Sequence, residues 1–171
     1  MNDLKEASKI LYSNLAKKKD EYLEKIENAK RREAAIRIEL SSKENLTDTS
    51  ENASHDNDLA AYMKVESELA RYARRIEAFD SFNFEHTESQ YIRIGTTIKL
   101  KRELINQSTN SIRNKTDFVL LLVPAGLGNA SEGFLDANSA VGKELIHQQK
   151  GSTIHVNTAS GTNTFFIEEI Y

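Results

Sequence analysis

Apolar side chains in the first stretch of the chain fall at Leu4, Leu11, Leu15, Tyr22, Ile26, Ala29, Ile36 and Leu40, mostly three, four or seven apart. That spacing draws one stripe along an α-helix. A second stripe follows at Leu59, Tyr62, Val65, Leu69, Tyr72, Ile76 and Phe79. No glycine or proline occurs before Gly95, so nothing breaks a first helix of about 38 residues, roughly 55–60 Å long at the helical rise. Two such stripes joined by a polar segment predict an antiparallel coiled-coil hairpin. Ser8, Lys18 and Glu33 interrupt the first seam, and looser packing is expected beside them.

The polar segment, from Ser41 to Asp58, is rich in Ser, Asn, Asp and Thr. These side chains compete for backbone hydrogen bonds and favour caps and bends over helix interiors. Thr49 or Ser50 is placed to cap the second helix, as are Asp56 or Asp58 if that helix starts later. On the residues alone, Asp48 and Glu51 read as turn-forming and capping groups. Charge is segregated around this bend. Lys30, Arg31, Arg32 and Arg37 precede it, Glu44, Asp48, Glu51, Asp56 and Asp58 occupy it, and no Lys or Arg stands between Lys43 and Lys64. A solvated helix face beside a polar loop has the same pattern.

From Tyr91 the periodicity changes. Tyr91–Leu100, Phe118–Val123, Thr153–Thr158 and Thr164–Tyr171 read as strands, with turn signals at Pro124-Ala125-Gly126 and at Ser160-Gly161-Thr162-Asn163. Ser139 to Gln149 reads as a short helix capped by Ser139 and stopped by Gly151, with Val141, Leu145 and Ile146 inward. The module is an antiparallel sheet with one helix across it, its core built from Phe118, Leu120, Leu122, Ile154, Val156, Phe166 and Ile170. The fold class is α+β, in two parts: a hairpin over residues 1–82 with its acidic tip near 44–58, a linker at 83–90 and a sheet domain over 91–171.

Composition narrows the chemistry. Charged residues make up 29% and the net charge is −3, too balanced for broad electrostatic capture of nucleic acid. There is no cysteine, no apolar run of membrane-spanning length and no secretory leader pattern, which points to a soluble cytoplasmic protein with no thiolate metal site. His55, His86, His147 and His155 show no metal-binding spacing. Neither a glycine-rich phosphate loop nor a nucleophile elbow is present, so any chemistry here borrows another protein's active site.

Two segments resemble the Gre transcript-cleavage factors of bacterial RNA polymerase. In the bend, the family's Asp-Leu-Ser-Glu-Asn-Ala is matched by Asp48-Thr49-Ser50-Glu51-Asn52-Ala53. Near the C-terminus, the family pattern is matched by Ser139-Ala140-Val141-Gly142, Glu144-Leu145, Gly151-Ser152, Ile154 to Val156, Ser160-Gly161 and Phe165 to Ile170, with Ala140 in place of the usual Pro and Ser152 in place of the usual Asp. The resemblance implies an FKBP-like C-terminal domain and a transcription elongation factor that is not itself an enzyme. Such a factor enters the secondary channel of RNA polymerase and stimulates the polymerase to cleave backtracked RNA. Asp48 and Glu51 would be the catalytic pair, sharing a second Mg²⁺ with the polymerase active site and orienting a water. Lys30, Arg31, Arg32 and Arg37 are candidates for contact with the extruded RNA 3′ end, and Ser139, Ala140, Val141 and Gly142 for docking on the polymerase. The factor would act as a monomer, meet DNA only through the polymerase complex and make no use of a membrane.

Departures from the family leave a second reading open, that of a Gre-like channel regulator that inhibits or retunes the polymerase without cleavage. The arm is longer than usual, Thr49 replaces Leu, and Asp56 and Asp58 offer another apex. A prolyl isomerase is suggested only by the FKBP-like module, which lacks the clustered aromatics of a proline pocket. A structural coiled-coil adaptor needs neither motif.

Overall fold

The computed structural model describes residues 2–43, 52–85, 89–105, 112–158 and 161–171. It contains α1 (Asn2–Lys43), α2 (Asn52–Asp80), β1 (Thr97–Ile105), β2 (Ile112–Val123), β3 (Phe134–Asp136), α3 (Ala140–Leu145), β4 (Thr153–Thr158) and β5 (Gly161–Ile170). The protein is α+β. Contacts divide it into one compact unit of residues 1–16 with 78–171 and another of residues 17–77, so compactness cuts the chain elsewhere than composition does.

In the first unit the strands form one sheet in the order β3-β2-β1-β5-β4. All pairings are antiparallel except the short parallel contact of β3 with β2. One face carries the core, with Ile98, Leu100, Leu122, Ile154, Phe165, Ile167 and Leu145 buried against one another. The predicted inward positions of α3 agree: Leu145 is buried, and Val141 and Ile146 pack at the core's edge. The helix stops at Leu145 rather than Gln149, because His147 adopts a positive φ of 68° and its N–H turns away to the Ile92 carbonyl.

Several boundaries differ from the sequence reading. β1 begins at Thr97, not Tyr91, since Arg93 to Thr96 form a turn through Gly95 at φ 93°. It continues through Lys101, Arg102 and Glu103, whose charges hid it. β5 takes in Gly161, Thr162 and Asn163, which were expected to form a turn. The core position expected at Phe166 belongs instead to its neighbours. Leu100 stands opposite Ile167 and Lys99 opposite Glu169, so Glu168 is the extra residue of a β-bulge. The bulge resets the alternation, placing Phe165 and Ile167 inward and leaving Phe166 41% exposed on the other face.

Glu168 accepts hydrogen bonds from Lys99 at 3.1 Å and Lys101 at 3.0 Å. The bonds from Lys101 and then Lys99 hold its carboxyl below the usual carboxylate range, and the same bonds raise both lysines. A carboxylate with a depressed pKa stabilises the fold above its ordinary pKa and loses that effect as pH falls through the depressed value. The lysines act in the opposite sense, losing their effect as pH rises through their raised values. Glu168→Gln is therefore expected to flatten both the acid and the alkaline limbs of stability, read as urea midpoints across pH. Equal shifts at every pH would show that the charges do not matter there.

Residues 1–16 lie on the face opposite this core. Leu4, Leu11 and Leu15 are buried, as are Leu121, Val123 and Phe134 from the sheet. Ser8, expected as a flaw in the stripe, is 2% exposed and accepts a hydrogen bond from the Thr97 hydroxyl at 2.9 Å. Tyr12 donates to the Gly95 carbonyl, and burial raises its phenol pKa. Ser8→Ala would leave the Thr97 hydroxyl buried without its acceptor, costing about 1–3 kcal/mol. The double change Ser8→Ala with Thr97→Val is expected to cost less than the sum of the two single changes in a urea-unfolding cycle. Additivity would deny the coupling.

Candidate functional site

In the unit of residues 17–77, α1 and α2 each present a seam with alternating steps of three and four. The seam positions, all half-buried or buried, are Tyr22, Ile26, Ala29, Glu33, Ile36 and Leu40 on α1, and His55, Asp58, Tyr62, Val65, Leu69, Tyr72 and Ile76 on α2, with Lys18, Lys19, Glu68 and Arg75 half-buried at its sides. Contacts across the pair confirm that the helices run antiparallel. Tyr22 stacks at a tilt on Tyr72 with centroids 6.0 Å apart, Arg32 bonds Glu68 at 2.8 Å, and Tyr62 donates to Glu33 at 3.4 Å. Leu59, expected in the stripe, is 43% exposed, because the seam runs through Asp58 and Tyr62 instead.

α1 ends at Lys43 and α2 begins at Asn52. The carboxylates Asp48 and Glu51, proposed from sequence as the catalytic and metal-holding pair, lie outside the described residues, as do Glu44, Thr49 and Ser50. Asp56 and Asp58 are not caps, since α2 starts before them. Asp56 is exposed on the helix and Asp58 half-buried at the seam.

The basic candidates are placed in detail. Lys30 sits 3.4 Å from Glu27, and Arg32 is paired with Glu68. Arg37 donates to Glu33 at 2.6 Å and to the Tyr62 hydroxyl at 3.1 Å, with its guanidinium 5.9 Å from the Tyr62 ring. These bonds, Tyr62's first, raise its pKa above the ordinary arginine value. Arg31 is exposed. Surface ion pairs of this kind contribute little to stability.

A further cationic group escaped the sequence reading. Lys25 and Arg75 lie 5.0 and 4.9 Å from the Tyr22 ring, and Arg71 lies 5.3 Å from the Tyr72 ring. Its signal was two tyrosines in facing seams with basic residues one and three positions away along the chain. Such contacts help fix the register of the hairpin.

The docking candidates form one compact turn. The Ser139 hydroxyl accepts from Gly142 N–H at 3.0 Å and donates to the Asp136 carbonyl at 2.7 Å, so it caps α3 as expected. Ala140 is exposed, Val141 packs at the core's edge and Gly142 is buried. Asp136 ties this turn to the preceding loop, its carboxylate accepting from the N–H groups of Gly126 and Asn138, both at 2.7 Å.

No family model matches the sequence, and no curated protein matches it. Among solved structures, the chain is similar to the GreA factor homolog 1 (Gfh1) of Thermus thermophilus, at 17% identity over 94% of each chain with a TM-score of 0.35. It is similar to Gfh1 of Thermus aquaticus at 16% identity, over 89% of this chain and 92% of that one, with a TM-score of 0.37. It is also similar to the prokaryotic transcription elongation factor GreA/GreB of Nitrosomonas europaea at 18% identity, over 49% of this chain and 62% of that one, with a TM-score of 0.35.

Among the described residues, no group of three or more His, Asp or Glu side chains is placed to hold a metal ion. No helix among them is long and apolar enough to cross a membrane.

Proposed function

We propose that this protein is a transcription elongation factor that inserts the connection between α1 and α2 into the secondary channel of bacterial RNA polymerase and stimulates cleavage of backtracked RNA. One observation carries the reading. The segment Asp48-Thr49-Ser50-Glu51-Asn52-Ala53 falls at the junction of two long antiparallel helices, between the end of one at Lys43 and the first residues of the other at Asn52. A borrowed active site requires that its delivered groups be carried to one place, and a junction between two long helices suits that task.

Asp48 and Glu51 would contribute carboxylate oxygens to a Mg²⁺ shared with the polymerase and hold a water in line with the scissile phosphate. When bound, that ion supplies charge neutralisation and an activated water. The chain's own work is to deliver and orient the two carboxylates. Lys30, Arg32 and Arg37 would exchange their surface pairs for RNA phosphates, exposed Arg31 would join them, and the Ser139 to Gly142 turn would dock on the polymerase.

Asp56 and Asp58, carried on the start of α2 beside the junction, favour a second reading. Additional acids there suit a channel regulator that engages the polymerase without cleavage. The deciding experiment incubates the protein with a stalled, backtracked polymerase complex and Mg²⁺, then sizes the RNA. Short 3′ fragments identify a cleavage factor, slowed synthesis without fragments identifies an inhibitor, and no effect on either sinks both readings.

A further inference from the structure

Strand order leaves β3 and β4 at the two edges of the sheet. β3 has only three residues, too few to template another strand. β4 runs unbroken through Thr-Ile-His-Val-Asn-Thr in regular register with β5. It lacks the proline, lysine and bulge with which edge strands commonly refuse partners. Among the described residues nothing pairs with its outer edge.

The outward backbone groups can be named. Ile167 N–H donates to the Ser152 carbonyl at 2.9 Å. Alternating from that bond, Ile154 and Val156 turn their amides toward β5, while Thr153, His155 and Asn157 turn theirs away. The side chains of those three are exposed on the face opposite the core. On that face lies a groove of about 500 Å³ lined by Lys101, Glu103, Thr153, Thr164, Phe166 and Glu168. Phe166 stands directly across from Thr153 and is the exposed apolar floor of this groove.

We propose that β4 accepts an extended segment of a partner protein as an added strand, with one large apolar side chain of that segment crossing Thr153 to rest on Phe166. Main-chain bonds to Thr153, His155 and Asn157 would supply the affinity, and the groove the selectivity. Neighbouring strands lie ~4.8 Å apart, so the small Thr153 leaves a path that only a long side chain can use. A second copy of this chain fits less well. Its own β4 would bring only Thr153, His155 and Asn157 to that face, with no large apolar side chain to lie on Phe166. A free peptide segment reaches both edge and groove. This inference is independent of the proposed role in transcription.

The test uses the full ¹⁵N-labelled chain and a blocked peptide alternating threonine with phenylalanine and ended by lysines. Shifts and slowed exchange at the Thr153, His155 and Asn157 amides are expected, with binding at least about tenfold weaker when alanine replaces phenylalanine. His155→Pro removes one outward N–H at a position where an edge strand tolerates proline, and it is expected to keep the fold and abolish binding. If that variant unfolds, a peptide N-methylated along the edge facing β4 takes its place and should not bind. An unchanged spectrum at millimolar peptide, or undiminished binding to the proline variant or by the N-methylated peptide, would overturn the proposal. So would a concentration-dependent dimer with these amides protected in the absence of peptide.

Discussion

Replacing Asp48 or Glu51 with alanine is expected to reduce stimulated RNA cleavage to the polymerase's own basal level while leaving affinity for the polymerase nearly unchanged. Two carboxylates that share a metal with another protein act as a unit, so removing either one spoils the coordination and the double variant should be no worse than the singles. Fold stability should not move, because among the described residues the nearest buried hairpin positions, Ala29 and Val65, lie well back along the helices. The assay is fragment release from a backtracked complex, run beside a binding measurement. If both variants cleaved at the wild-type rate while Asp56→Ala or Asp58→Ala did not, the working carboxylates would be those on α2. If every variant lost binding as well as cleavage, the segment would be a docking element, and the Mg²⁺ reading would fall.

The hairpin was legible in the sequence because helical periodicity is local and persisted over both stretches despite Ser8, Lys18 and Glu33. Its errors came from tertiary context. Ser8 looked like a flaw in a coiled-coil seam, yet its helix lies against the sheet there and its hydroxyl meets Thr97. Leu59 looked like a seam residue, but the three-four alternation set by Tyr62 and Val65 puts Asp58 in that place. In the sheet, a single inserted residue decided the outcome. Counting alternation backward from Ile170 selects Phe166 as core, and only the pairing of β5 with β1 reveals that Glu168 bulges and that Phe165 and Ile167 face inward. No periodicity within one strand carries that information, since a bulge is a property of two strands. The Ser139 cap was readable because a cap needs only its own turn. The groove over Phe166 and the open edge of β4 were not, because they depend on strand order.

Gly142→Ala is expected to be the most destabilising single-methyl change in the turn from Ser139 to Gly142. A Cβ at Gly142 would collide with the Asp136 carbonyl oxygen and come within 3.0 Å of the Ala137 backbone. These are main-chain atoms, and they cannot swing aside as a flexible side chain would. Asp136 is held in place by four bonds at once: its carbonyl accepts from the Ser139 amide and hydroxyl, and its carboxylate from Gly126 and Asn138. Relief therefore requires moving the capped start of α3 off the core, at a cost of about 1–3 kcal/mol or more. Gly126→Ala is the control, since a Cβ there meets nothing and the φ of 87° supplies the only penalty, on the order of 1 kcal/mol. Urea unfolding of both variants should rank them in that order, and equal losses would mean that the turn relaxes freely. Ala140→Asp completes the comparison. Ala140 is exposed, so this change should leave the unfolding midpoint in place while weakening polymerase binding if the turn is the docking element. Unchanged binding by a stably folded Ala140→Asp protein would remove the turn from the proposed interface and place the docking energy elsewhere on the chain.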